Sequence, residues 1–495
     1  MWLWYGSAEP AAIMAQREHY GSVFKARVAV EAITGQKTVN EIASVYEVHP
    51  SQVAKGIRAK AEIRPPLGVV LWVLLGLGLC SSIPIAPIGP SFIVWPSTSE
   101  IAGLALFVVA VHGLGKTRRK KPHDKGVLPN SVATMLVVTV SYVFVSTIFL
   151  TSWHGYSVVY PAWSLMRFFQ WAVIVCYVLF ACGPRRIKLL VIGLVIGGAI
   201  NAVVAMLQRY GYLSPQTLFA HVATYGAGPY GAIAKRGVMG GESLGVFSYT
   251  RIATGFFLAL SLMGSMLFVG NKRLQFALLI LFTFGIVFTG SRLGFGVLVF
   301  LLVGLFLHGR HTPVVFHAVC LLAIVVIVCS GIIQNDFVIG RLAGRSETYS
   351  SGIEGRLARQ LLVLKLPASS ILFGCGLGNL GSALGLPDLR LYRAHGWFFT
   401  YLGELGTVGF VLLSVCALTI AKASGVFRSS YGVIVLGCIL LSGLADDFMI
   451  PSAQAAHLPV IAAIVLRLSV SEGGYRIVFG SLRQRYGTTG ESLSA

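Results

Sequence analysis

The sequence predicts an all-α polytopic membrane protein of about twelve transmembrane helices, preceded by a small helix-turn-helix-like module. Three observations predict it. Hydrophobic residues make up 55% of the 495 and charged residues only 12%, about half the charged share of a soluble domain. Mean hydropathy is +0.77. Apolar runs near or above the ~18–20 residues that cross a bilayer recur from 67 to 468. The runs are continuous and do not alternate with polar residues, which argues against a β-barrel.

The spans fall at roughly 67–83, 98–115, 131–151, 163–182, 189–209, 246–269, 274–290, 293–307, 314–333, 397–420, 431–447 and 452–468. With the N-terminus inside, every even-numbered span exits into the cytoplasm. Those exits carry Lys116-Thr-Arg-Arg-Lys-Lys121, Arg185-Arg186-Ile-Lys188, Asn271-Lys272-Arg273, His308-Gly-Arg310-His311, and Lys422 with Arg428. The tail 469–495 adds Arg476, Arg483 and Arg485. All lie on one side, as the positive-inside rule requires, so the net charge of +21 is topological before it is anything else. The eight cysteines, mostly inside apolar runs and without a CxxC pair, read as small buried residues. No basic-then-apolar start marks a cleavable signal peptide.

The first 66 residues read as a separate unit. Phe24-Lys-Ala-Arg-Val-Ala-Val-Glu-Ala-Ile33 repeats apolar residues at helical spacing and Gly35 stops it. Thr38-Val-Asn-Glu41 is a capping box opening a second helix. Pro50 then opens a third, through Ser51-Gln-Val-Ala-Lys-Gly-Ile-Arg58. Residues 20–58 resemble the small DNA-binding protein of insertion-sequence transposases. The likeness stops at Ala61-Glu-Ile-Arg-Pro-Pro66, which leads into the membrane. It implies DNA as a partner only if the module is functional; an insertion-element remnant or an upstream start is the other reading.

Two outer intervals are long, 210–245 and 334–396, beyond what helix connections need. Both carry arginines on the side where the positive-inside rule disfavours them: Arg236 in the first; Arg341, Arg345, Arg356, Arg359, Arg390 and Arg393 in the second. Arg292, in Thr289-Gly-Ser-Arg-Leu-Gly294, lies at the outer end of a tight hairpin. An anionic ligand is one reason for such residues, and snorkelling or headgroup contact is another. Gly355 to Pro367 reads as an amphipathic helix ended by the proline, followed by the turn Ile371-Leu-Phe-Gly374-Cys-Gly376-Leu-Gly378-Asn379. His395 then stands at the mouth of the tenth span, ahead of Gly406-Thr-Val-Gly409. Imidazole exchanges a proton near neutral pH unaided, although an interfacial histidine capping a span has the same appearance. Glu242 and Glu404 are spare acid/base candidates, and Asp446-Asp447 reads as a cap or loop because adjacent helix residues point apart.

This ordered set, over roughly 190–420, resembles the O-antigen ligase and polysaccharide polymerase superfamily. There, a histidine followed by a G-x-x-G motif comes after an Arg-bearing helix and a glycine turn. Gly396 departs from the Asn, Ser or Gln usual after the histidine. The resemblance implies a metal-independent, inverting glycosyltransferase without a cofactor, in a bacterial inner membrane, with both termini cytoplasmic and the active site periplasmic. The implied donor is an undecaprenyl-pyrophosphate-linked glycan, and the acceptor a lipid A core, another glycan or a protein, beside the surrounding membrane lipids. His395 would be the general base and Arg236, Arg292 and Arg356 would hold pyrophosphate. Gly374, Gly376, Gly378, Gly406 and Gly409 would shape the site. Ligase, polymerase and protein O-glycosyltransferase share these features. Two other classes stay open. One is a membrane-tethered DNA-binding regulator, for which twelve spans are more than tethering needs. The other is a transporter, against which the charges gather at the outer boundary and not at the midplane.

Deleting residues 1–60 is expected to leave membrane insertion and transferase activity intact, measured by membrane fractionation and a transfer assay; loss of both would show that the first module is essential.

Overall fold

The structure, a computed structural model, describes residues 38–46, 67–81, 97–117, 128–156, 158–215, 245–246, 251–307, 360–385, 396–445 and 457–471. The chain divides into two compact units, Met1–Val70 and Leu71–Ala495. Every regular element among the described residues is helical.

In the first unit the capping box forms as its sequence predicts. Helix α1, Val39–Val45, starts where the Glu41 amide donates to Thr38 Oγ1 at 3.4 Å and the Thr38 amide donates to Glu41 Oε2 at 2.7 Å. The flanking helices predicted at 24–33 and from 51 lie outside the described residues.

Helix α2 (Leu67–Gly78) spans the boundary between the units, and the second unit goes on with α3 (Thr98–Thr117), α4 (Asn130–Trp153), α5 (Val159–Cys176, running into a π turn at Tyr177–Ala181) and α6 (Pro184–Arg209). There follow α7 (Arg251–Phe268), α8 (Lys272–Thr289), α9 (Arg292–Leu307), the short α10 (Ala368–Phe373) and α11 (Leu380–Ala383), α12 (Trp397–Ala423) and α13 (Ser430–Ala445). The last described helix is α14, Leu458–Ser471. Six of these helices are long and apolar enough to cross a membrane, and five shorter apolar ones occupy further predicted ranges. The predicted span 314–333 lies outside the described residues.

Helix α4 shows which solvent the fold expects. Its buried face is Thr139, Val143, Thr147 and Thr151, while Val137 is 65% exposed, Val145 63%, and Phe144, Ile148 and Phe149 lie open beside them. Hydroxyls inward and large apolar side chains outward invert a soluble helix and suit a helix bathed in lipid. Helix α7 is the opposite case. It is buried from Ala253 to Met266 on every side, as an apolar helix at the centre of a bundle must be, and it packs on α6, α8, α9 and α13.

Glycines set the crossings. A Cβ on Gly76 would overlap the Leu190 carbonyl and one on Gly193 would overlap the Val73 carbonyl, so α2 and α6 touch backbone to backbone. Gly255 and Gly294 do the same for α7 and α9, where a Cβ on Gly294 would lie 2.8 Å from Gly255 Cα. Without a hydrophobic force between helices in lipid, such approach supplies the dispersion contact that holds them. The residue pairs also fix direction. α2 and α6 run parallel, as do α6 and α8, whereas α4 and α12 run antiparallel, as do α9 and α13.

The predicted hairpin at 289–294 forms. Gly290, at φ 62°, closes α8, and Ser291 Oγ accepts from the Gly294 amide at 2.9 Å to cap α9. Two elements depart from the sequence reading. Where the sequence suggests only a turn after Pro367, α10 intervenes, with Pro367 at its N-cap. The tenth span is not one helix: α12 breaks at Gly406, with φ 70° and ψ 177°.

Replacing Gly76 by Val is expected to lower stability by about 1–3 kcal/mol, the usual cost of overpacking, read as a fall in the melting temperature of the detergent-solubilised protein.

Candidate functional site

Two polar constructions stand out among the described residues. The first joins the two glycine motifs. Gly374 (φ 87°) and Gly406 (φ 70°) adopt backbone open to glycine and lie back to back. A Cβ on Gly374 would overlap the Glu404 carbonyl oxygen, and one on Gly406 would overlap the Gly374 nitrogen. Side chains are excluded from both positions by conformation and by contact.

Breaking α12 at Gly406 takes the carbonyls of Gly403, Glu404 and Leu405 out of the helical ladder, and the neighbouring segments claim all three. The Cys375 amide donates to Gly403 O at 3.1 Å and the Gly376 amide to Glu404 O at 2.8 Å. The Tyr142 hydroxyl lies 3.1 Å from Leu405 O. Thr407 Oγ1 donates in the other direction, to Ile371 O at 3.0 Å. Helix α4 holds the far side of the turn. The Leu377 amide donates to Thr147 Oγ1 at 3.2 Å, and Asn379 Nδ2 donates to Thr151 Oγ1 at 2.8 Å and to Cys375 O at 3.0 Å. Residues 374–380 are buried throughout. Burial pushes the Cys375 thiol well up, and the Glu404 carboxylate adds to the shift.

This accounting decides what the turn can do chemically. A glycine loop that cradles phosphate must offer free backbone N–H groups. Here the amides of Gly374, Cys375, Gly376, Leu377 and Asn379 are all committed to partners within the protein. Gly374, Gly376 and Gly378, together with Gly406, therefore serve as a mechanical joint. Gly409 completes it by leaving room for the Tyr142 ring, whose Cε1 lies 2.5 Å from where a Cβ would stand.

The second construction is a buried charge cluster that sequence reading missed. Arg167 of α5 pairs with Glu100 of α3 and lies over the Trp163 and Trp171 rings, 5.2 and 5.8 Å from their centroids. His457, just before α14, accepts from Trp171 Nε1 on Nδ1 at 3.0 Å, and its Nε2 lies 3.5 Å from Glu100 Oε2. Arg167 and His457 are 4% and 0% exposed, and Glu100 is 17% exposed. A Cβ on Gly103 would overlap the imidazole. All three groups fall inside predicted spans, each near the end that the predicted topology puts outside, so the cluster lies towards the outer boundary where the sequence reading gathers the charge. The signal was present, because an ionisable residue within an apolar run is itself a site marker.

Two of the described outer-interval ends are tied down as well. The Gly245 amide donates to Gln208 Oε1 at 2.8 Å and the Val246 amide donates to Asn201 Oδ1 at 2.8 Å, while Asn201 Nδ2 donates to Cys80 O at 3.0 Å. Gly396, which precedes α12, abuts Gln360 and the Gly443 carbonyl. Of the sequence-predicted site residues, His395, Arg236 and Arg356 lie outside the described residues, as do Glu242, Asp446 and Asp447. Arg292 opens α9, but its side chain lies outside the described set. Gly374, Gly376, Gly378, Gly406 and Gly409 are brought together in one joint. No protein-family model matches the chain, and no curated protein matches it. Fold and composition define the class: a helical, membrane-embedded protein.

Removing one member of the buried pair, as Glu100→Gln or Arg167→Met, is expected to cost about 3–5 kcal/mol. The double variant Glu100→Leu/Arg167→Met should recover most of that loss, because the penalty lies in the orphaned charge. Thermal melts of the three variants in detergent measure it.

Proposed function

We propose that the chain is an O-antigen ligase-like glycosyltransferase of a bacterial inner membrane. It would move a glycan from undecaprenyl pyrophosphate to an acceptor hydroxyl on the periplasmic face. The observation that carries this reading is the joint. Two motifs that the sequence resemblance names separately, the glycine turn and Gly406-x-x-Gly409, interlock residue by residue, as parts of one working unit should.

Helix direction supports the twelve-span arrangement. α9 and α12 run the same way, each antiparallel to α13, which is the relation required of alternating spans with one span, 314–333, between them. Contacts also join ends that the basic residues assign to one side. Thr147 and Thr151 meet the turn before α12 on the outer side, and Arg186 bonds Tyr177 Oη at 3.1 Å on the inner.

In the reaction proposed, the His395 imidazole takes the proton of the acceptor hydroxyl while that oxygen attacks the anomeric carbon. The bond from that carbon to the phosphate oxygen breaks, undecaprenyl pyrophosphate leaves with the electron pair, and the anomeric centre inverts. Guanidinium groups of Arg236, Arg292 and Arg356 match phosphate oxygens and would hold the charge that grows on the leaving group. A transporter is the second reading, favoured by one particular observation, the broken helix α12, because discontinuous helices form substrate and ion sites in transporters.

Purified full-length protein incubated with an undecaprenyl-pyrophosphate glycan and acceptors is expected to transfer the glycan in the presence of chelator. His395→Ala should reduce the rate about 10²–10⁴-fold, the range of general base catalysis. Equal rates in the two proteins would remove His395 from the mechanism, and absence of transfer to every acceptor would turn the assignment towards the transporter.

A further inference from the structure

One phenol ends two helices. Phe373 is the last residue of α10, and Leu405 is the last residue before the break in α12. Terminal carbonyls of a helix have no partner within it and carry the negative end of its dipole. Tyr142 Oη lies 3.2 Å from Phe373 O and 3.1 Å from Leu405 O. A hydroxyl has a single proton to donate, so the two helix ends converge on one donor. The phenol reaches them because Gly409 has no side chain to block its ring.

The same helix carries the remaining grips. Thr147 and Thr151 lie on the buried face of α4 and hold the Leu377 amide and the Asn379 amide group respectively. A continuous helix thus acts as a straight edge against which a broken helix and a glycine turn are aligned.

We propose that Tyr142, supported by Thr147 and Thr151, is a latch that fixes the angle of the break in α12 and so positions the outer half of that helix, which follows the candidate base His395 in sequence. The inference rests on the transferase reading. Tyr142 is a positioning residue in this scheme, since it touches backbone carbonyls and no reacting atom. The inner half of α12 continues to Ala423 and is anchored along α4, where Thr139 Oγ1 donates to Leu412 O at 3.5 Å. Loosening the latch therefore frees the outer half while the inner half keeps its place.

The test uses the full-length protein in native membranes, with Tyr142→Phe, Thr147→Val and Thr147→Ser. Tyr142→Phe keeps the ring and loses the hydroxyl, and Thr147→Ser keeps the acceptor. One measurement is independent of catalysis: the rate of N-ethylmaleimide modification at Cys375, resolved from the other cysteines by peptide mass spectrometry. Cys375 is 1% exposed, beneath the latch. Its modification is expected to accelerate roughly three- to tenfold in Tyr142→Phe and Thr147→Val, the change one neutral hydrogen bond supports, and to stay at the wild-type rate in Thr147→Ser. The second measurement is glycan transfer, in which kcat should fall by a similar factor in the first two variants with KM unchanged, and recover in the third. Wild-type protection of Cys375 in both Tyr142→Phe and Thr147→Val would overturn the latch. Faster modification with unchanged kcat would overturn its positioning role. If the wild-type protein transfers nothing while Cys375 responds as expected, the transferase reading and the positioning role fail together, and the mechanical latch stands.

Discussion

A helix that breaks inside a membrane protein releases carbonyl groups into a region where water cannot receive them. Each one left bare costs roughly 2–7 kcal/mol, depending on the reference environment, so three together exceed what any single contact could offset. The break at Gly406 exists because Gly403, Glu404 and Leu405 each find another partner. Two come from the amides of the glycine turn and the third from a tyrosine on the neighbouring helix. Much of the local arrangement follows from that constraint. The turn must present two consecutive amides, Cys375 and Gly376, at helix spacing. Gly374 and Gly406 must lack side chains so the two backbones can meet. Helix α4 must then offer hydroxyls where its other faces offer hydrocarbon.

The charge cluster obeys the same rule by another route. Arg167 in α5 is buried at 4% exposure, which would be prohibitive for an isolated cation. It is matched by Glu100 and flanked by two indole rings. The imidazole of His457 then spans the remaining carboxylate edge and the Trp171 N–H. Three helical segments neutralise one guanidinium, α3, α5 and the start of α14, and Gly103 of α3 leaves room for the ring. Such pairs add little net stability compared with well-packed apolar residues, but they penalise any arrangement that separates them. Joint and cluster thus act by specificity: each makes a wrong packing costly.

What could be read from sequence divides along physical lines. Apolar runs and basic exits are one-dimensional signals, and they located α3 to α9 and α12 to α14 closely. The capping box at Thr38–Glu41 and the hairpin at Gly290–Gly294 were legible because cap chemistry is local. The glycines of the joint were legible as a motif, although their use was not. Nothing local distinguishes a G-x-G-x-G turn that binds phosphate from one whose amides serve a distant helix break; the difference lies with partners about thirty residues downstream and on α4. Tyr142, Thr147 and Thr151 escaped notice because single hydroxyls in an apolar run are common and inexpensive. Arg167 and Glu100 could have been found, since ionised residues inside spans are costly and therefore informative. Hydropathy averaging over a long window conceals them.

The joint also bears on how a protein built from apolar helices fixes the angle between them. Lipid supplies no force that orients one helix end relative to another, because hydrocarbon is as favourable on every side. A precise angle must come from directional contacts, and in this chain those contacts are backbone carbonyls exposed by a break. Breaking α12 therefore does two things at once. It turns the outer half, Trp397 to Leu405, away from the axis of the inner half, and it creates the acceptors by which that outer half is held. Aromatic packing reinforces the result: Trp397 and Phe398 have ring centroids 4.0 Å apart and bear on Gly443 at the end of α13. The irregular backbone and its anchoring are one feature, since an unbroken α12 would have no carbonyls to offer and the glycine turn no place to dock.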